Sequence, residues 1–116
     1  MKIVHNRFIP FKGFSAFTFL GMIFTRKSEL PLVTINHEKI HIYQERELAY
    51  FLFWVLYSLE WLVKSILYFN FHTGYKNISF EREAYSNEEN LNYLTIRKPY
   101  NWVKLIWRKK NQSTKT

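Results

Sequence analysis

Cysteine and aspartate are both absent from this 116-residue sequence, and glycine and proline occur three times each. Without thiols there is no disulfide framework and no thiolate metal site, so any metal must be held by histidine or carboxylate. Without aspartate, all nine acidic residues are glutamates, and any catalytic carboxylate must be a Glu. The N-terminus, MKIVHNRFIPFKGFSAF, lacks an uninterrupted apolar run behind its first basic residue. No cleavable signal peptide is read there, and a cytoplasmic location, with or without membrane association, is the expectation. At 47% hydrophobic and 20% aromatic residues the chain is too apolar to be disordered. Its length suits one domain with a single core.

What is abundant is positive charge. Seventeen Lys and Arg against nine Glu give a formal charge of +8, which favours anionic partners such as phospholipid or nucleic acid. No recognised nucleic-acid module accompanies the charge, so that partner class is the weaker one.

Residues 1–27 are rich in Phe, Ile and Thr, punctuated by Pro10, Gly13 and Gly21, and read as two or three short antiparallel strands. Ser28 and Pro31 mark a helix start. From Leu32 to Thr73 there is no Gly or Pro, and the dense apolar residues predict one long helix ending between Phe69 and Gly74. Residues 35–69 as one helix would run roughly 50 Å at 1.5 Å per residue. A compact chain of this size is only about 35 Å across, so the helix must bend or project into a partner or membrane. HTGYKN (72–77) reads as a loop, with Asn77 or Ser79 capping a second helix through SFEREAYSNEENLNYL. Pro99 separates a third short helix, NWVKLIWRKK, and the tail at 111–116 is expected to be disordered. The single domain spans 1–110.

The sharpest motif is HEKIH at 37–41. His37 and His41 stand one helical turn apart, so both imidazoles can reach one ion, while Glu38, about 100° further round, is placed as a general base toward water at the metal. Four His and nine Glu in 116 positions produce such a pattern by chance in roughly one shuffle in a hundred. The third ligand is not local. Where a metzincin-like pattern has Gly and His, this chain has Gln44 and Glu47. A downstream helix bearing Glu is the natural source, and the apolar stripe of Phe80, Ala84, Leu91 and Leu94 leaves both Glu81 and Glu83 eligible.

FEREAY (80–85), following HEKIH, resembles the gluzincin zinc peptidases, in particular the branch of CaaX-processing proteases and penicillin-sensing membrane peptidases, in which HExxH is followed by a helix bearing ExxAD. The resemblance covers about residues 30–95. It implies Zn2+ held by His37, His41 and Glu81, Glu38 as catalytic base, Ala84 as the close-packing residue, and Tyr85 where the family has an Asp that orients the surroundings of the metal. It further implies an α+β, mainly helical, zincin-like domain: a short N-terminal antiparallel sheet, a long active-site helix and a second ligand-bearing helix. The substrate would be a peptide or protein. His72, Tyr85 and Arg97 are candidates for the surrounding shell or for transition-state donors.

Two apolar segments point elsewhere. Leu48 to Phe69 is long enough to cross a bilayer but contains Glu60 and Lys64 at an i, i+4 spacing. The face carrying His37, His41 and Gln44 continues as Leu48, Leu52, Val55, Leu59, Leu62 and Ile66 and reads as core, which leaves apolar surface for a homodimer seam or a membrane. In the C-terminal segment, Trp102 and Trp107 opposite Lys104 and Arg108 suit an anionic membrane surface or, equally, a Trp face that closes the core while the basic residues are solvated. The function class competing with a peptidase is therefore a non-catalytic metal-binding, membrane-surface or oligomerising helical protein.

Overall fold

The computed structural model describes residues 2–6 and 16–107. Strand β2 (Phe17–Phe19) and strand β3 (Met22–Thr25) form a hairpin whose two-residue turn, Leu20 and Gly21, has positive φ at both positions. That geometry matches the twist of the flanking strands; Gly21 adopts it freely and Leu20 at a steric cost. Strand β1 (Lys2–His5) lies on the other side of β3 and parallel to it, giving the order β1-β3-β2. The sheet is thus mixed, where the sequence reading had it antiparallel throughout.

Helix α1 (Leu32–Glu47) starts directly after Pro31, and helix α2 (Phe51–Tyr68) follows only three residues beyond its end. The single long helix expected from 35 to 69 is therefore two. No Gly or Pro breaks it; Ala49 and Tyr50 instead take positive φ of 54° and 64°. The Tyr50 N–H donates back to the Glu45 carbonyl at 2.7 Å, which closes the turn. Left-handed backbone costs an L-residue about 1–2 kcal/mol. The return is that α2 folds back and sets Phe53 and Tyr57 into the core beside Phe80. The break also removes the length conflict, since the molecule measures 36 × 32 × 28 Å.

The segment expected as a loop is helix α3 (Phe71–Lys76), capped by Asn70, whose side chain accepts from the Thr73 N–H. It lies so close to α2 that a Cβ on Gly74 would fall 2.6 Å from the Ser65 backbone nitrogen. Helix α4 (Ser79–Asn87) has no cap from Asn77 or Ser79. Its first turn is capped from α2, where the Glu60 carboxylate accepts both the N–H and the hydroxyl of Ser79, and Lys64 bridges Glu60 to the Asn77 carbonyl. A charged pair that looked costly within an apolar helix thus faces inward and anchors α4. Helix α5 (Tyr93–Ile96) is a single turn.

The described architecture is mixed α+β and mainly helical, 58% helix and 10% strand. Phe53, Tyr57, Ile78, Phe80 and Trp102 form the main core cluster, and Ile40, Ala84 and Tyr93 a second one between α1 and α4. Full burial of one such large apolar side chain is worth roughly 1.5–3 kcal/mol. Trp102, whose face the sequence left open between a membrane and the core, is buried in the core, its ring tilted against Phe80 with the centroids 4.5 Å apart. The expected C-terminal amphipathic helix is, within the described residues, one 3-10 turn, Val103–Leu105, tied down by Arg82 donating to the Leu105 carbonyl. Lys104 and Trp107 are exposed, while Arg108 and the tail at 111–116 lie outside the described residues.

Candidate metal centre

Helices α1 and α4 pack closely where Ala84 meets Ile40, and this contact brings their polar faces together. Glu81 Oε1 lies 3.1 Å from both His37 Nε2 and His41 Nε2, and the two Nε2 atoms lie 3.1 Å from each other. All three side chains are buried, at 7%, 5% and 4% exposure for His37, His41 and Glu81. Two nitrogens and one oxygen at the corners of a nearly equilateral triangle are the face of a coordination tetrahedron. Bonds of about 2.0–2.1 Å to a tetrahedral ion would set ligand atoms roughly 3.3 Å apart. The group can hold a metal ion.

The hydrogen bonds behind the imidazoles fix which nitrogen faces the site. Gln44 donates from its amide nitrogen to the Phe80 carbonyl and to Glu83 Oε1, which turns its oxygen toward His41 Nδ1 at 2.7 Å. An amide oxygen only accepts, so His41 Nδ1 carries a proton. Glu88 Oε1 lies 2.7 Å from His37 Nδ1 and imposes the same tautomer. Both Nε2 lone pairs are then available to one cation, with each ring oriented by a hydrogen bond behind it, the arrangement that metal-ligating histidines require.

The charge balance agrees. Burial by itself would lower the His37 pKa, but hydrogen bonds to Glu81 and Glu88 outweigh it and carry the metal-free group up to about 10. His41 is also raised: burial opposes its charge, and Glu81 more than compensates. Glu81 is held well below the usual carboxylate range, because the attraction of His41 and His37 overcomes a large desolvation penalty. The site is a concentrated negative potential that a proton or a metal ion must neutralise.

Tyr57, from α2, donates to Glu81 Oε2 at 2.6 Å and so leaves Oε1 as the oxygen aimed at the histidines. Glu38 is buried beside the cluster, and the Thr18 hydroxyl of β2 donates to its carboxylate. The hairpin that supplies Thr18 is pinned over the α1–α2 junction by the Phe17 ring packing, tilted, 5.2 Å from Trp54 and by the Gly21 N–H donating to Glu45. Tyr85 packs its ring edge-on to His37 at 4.5 Å and points its hydroxyl to that of Tyr75.

The structure separates the two glutamates that sequence periodicity left equal. Glu81 joins the histidines, whereas Glu83 turns away to bind Gln44, Tyr93 and Arg97. Arg97 pairs with Glu83 and Glu47, not with the histidine cluster. His72 is exposed, its ring 6.1 Å from that of Tyr75. Tyr57, Glu88 and Thr18 enter the site unannounced by the motifs. Glu88 had a signal, since it stands seven residues after Glu81 and therefore on the same helix face. Tyr57 had none, because its approach depends on the chain reversal at 48–50.

No family model matches the chain, and no curated protein or solved structure matches it either.

Proposed function

We propose that the chain is a small gluzincin-type zinc metallopeptidase, with His37, His41 and Glu81 as zinc ligands and Glu38 as the general base. The observation that carries this reading is the donor set. Structural zinc takes four protein ligands, whereas catalytic zinc takes three and leaves a position for water or substrate; among the described residues this cluster offers two imidazoles and one carboxylate. Zinc bound there supplies a Lewis acid for water and for a peptide carbonyl.

The remaining work falls to the chain's own groups. Glu38 accepts a proton from the attacking water and returns it to the leaving amine, and the Thr18 hydroxyl holds its carboxylate in place. Tyr57 donates to Glu81 Oε2 and so leaves Oε1 as the oxygen that would face a metal held with His37 and His41. Glu88, behind His37, supplies the orienting carboxylate that Tyr85 cannot. Among the described residues strand β2 is an edge of the sheet and carries Thr18, so a peptide added along it would lie beside Glu38. The competing view of a non-catalytic membrane-surface or oligomerising protein draws on the apolar face of α2, a different surface that is compatible with hydrolysis.

The test is metal content by mass spectrometry on the wild type and on His41→Ala, Glu81→Ala and Glu83→Ala, followed by a fluorogenic peptide screen. The expected result is one zinc per chain, lost with His41 or Glu81 but kept with Glu83. Peptide cleavage is expected to vanish in Glu38→Gln while zinc is retained. A chain that takes up no zinc on reconstitution, or cleaves equally well as Glu38→Gln, overturns the proposal.

A further inference from the structure

Helix α2 is 18 residues long with a mean hydropathy of 1.3, yet only 22% of it is buried in the molecule. Its two charges, Glu60 and Lys64, lie on the inner face with Phe53 and Tyr57, and the ion pair closes at 2.7 Å. The outer face, centred roughly 140° away by helix geometry, carries Leu52, Val55, Leu59, Leu62, Val63 and Ile66, all exposed. Phe69 and Phe71, at 96% and 74% exposure, extend it past the helix end. No charged residue interrupts this face from Phe51 to Phe71.

The charges elsewhere say what covers it. Of the nine glutamates only Glu29 and Glu89 are exposed; the other seven are buried or half-buried. Among the described residues Arg26, Lys27, Arg46, Lys98 and Lys104 are exposed, so the surface carries five exposed cations against those two carboxylates, while Lys64, Arg82 and Arg97 are drawn inside with the remaining glutamates. Two copies of a chain of net charge +8 repel each other, whereas an anionic lipid surface attracts them. The 18-residue helix is about 27 Å long, and laid flat it offers its whole apolar face to the acyl-chain boundary.

We propose that the outer face of α2, with Phe69 and Phe71, docks into the surface of an anionic phospholipid bilayer. The helix lies in the interface plane and its inner face keeps its contacts with the core. This inference does not depend on the peptidase reading.

The experiment is flotation with vesicles of phosphatidylcholine plus phosphatidylglycerol and with vesicles of phosphatidylcholine alone. The wild type is compared with Leu59→Glu/Leu62→Glu, and light scattering is recorded without lipid. The wild type is expected to float with the anionic vesicles, and the double variant to lose at least about tenfold in partitioning with unchanged circular dichroism. Leu59→Ser/Leu62→Ser, which adds no charge, supplies the same comparison should the glutamate variant fail to fold. A wild type that stays unbound to both vesicle types overturns the proposal. So does a lipid-free dimer that the substitutions split, which would assign the face to a second copy. Equal binding to neutral and anionic vesicles overturns the charge-directed part of it.

Discussion

Replacing Glu88 with Gln is the most discriminating perturbation of the proposed centre, because it changes the surroundings of His37 without replacing any of the three candidate ligands. Glu88 accepts from His37 Nδ1 at 2.7 Å, and its side chain is 24% exposed, so the variant opens no cavity and strands no deeply buried group. The carboxylate raises the basicity of the imidazole and fixes its tautomer. Glutamine preserves the shape and one acceptor oxygen but removes the charge. Partners of this kind are worth about 10- to 100-fold in metal affinity, and the retained acceptor places Glu88→Gln near the lower end. A tenfold loss is about 1.4 kcal/mol. At saturating zinc the same amount must disappear from the zinc-induced gain in stability, since that gain is set by the ratio of free metal to its dissociation constant. Zinc competition against a chromophoric chelator gives the first quantity, and urea unfolding with and without zinc gives the second. Glu89→Gln, at the exposed neighbouring position, is the matched control. If Glu88→Gln binds zinc within about twofold of the wild type, Glu88 does not orient His37 and the tautomer argument fails.

Four other outcomes are expected. Ala49→Gly relieves left-handed backbone at φ 54° and should raise stability by about 1 kcal/mol in chemical denaturation; a loss of stability would mean the turn is not strained. Gly74→Ala should destabilise by about 1–3 kcal/mol, because the new methyl would meet the Ser65 backbone, which cannot move aside as a side chain could. Metal-free stability should depend on His37. Its pKa is raised from 6.5 to about 10 on folding, so its contribution is complete below about pH 6.5 and is lost as pH rises toward 10; zinc should remove that decline and bind more tightly with rising pH as protons leave the imidazoles, both readable by thermal melts across a pH series. Glu45 behaves in the opposite sense to an ordinary salt-bridged carboxylate. Burial pushes its pKa up to about 7 against the pull of the Gly21 N–H and His41, and its Oε2 has no hydrogen-bond partner among the described residues, so Glu45→Gln should stabilise more at pH 8 than at pH 5.

The parts of the site legible in the sequence were those written in local helical spacing. His37, Glu38 and His41 need only one turn of α1, and the pairing of that turn with FEREAY came from resemblance, because Glu81 and Glu83 sit symmetrically about the apolar stripe. What separates them in space is a hydrogen-bond network: Gln44, Tyr93 and Arg97 together occupy Glu83 and leave Glu81 to the histidines. No periodicity encodes that choice. The same limit explains the long helix. Residues 48–50 hold none of the usual breakers, and the chain reverses there through Ala49 and Tyr50 at a backbone cost that only tertiary burial of Phe53 and Tyr57 offsets. Once the reversal is known, the rest of α2 reads differently. Leu52, Val55, Leu59, Leu62 and Ile66, which continue the histidine face only if the helix is unbroken, are carried to the outside. Glu60 and Lys64, which looked like an obstacle to an apolar surface, are turned inward to cap α4, the helix that carries Glu81. One kink of three residues thus does two things. It brings Tyr57 to Glu81, and it clears the opposite face of α2 of charge, so the candidate metal centre and the proposed lipid-facing surface are consequences of the same local conformation.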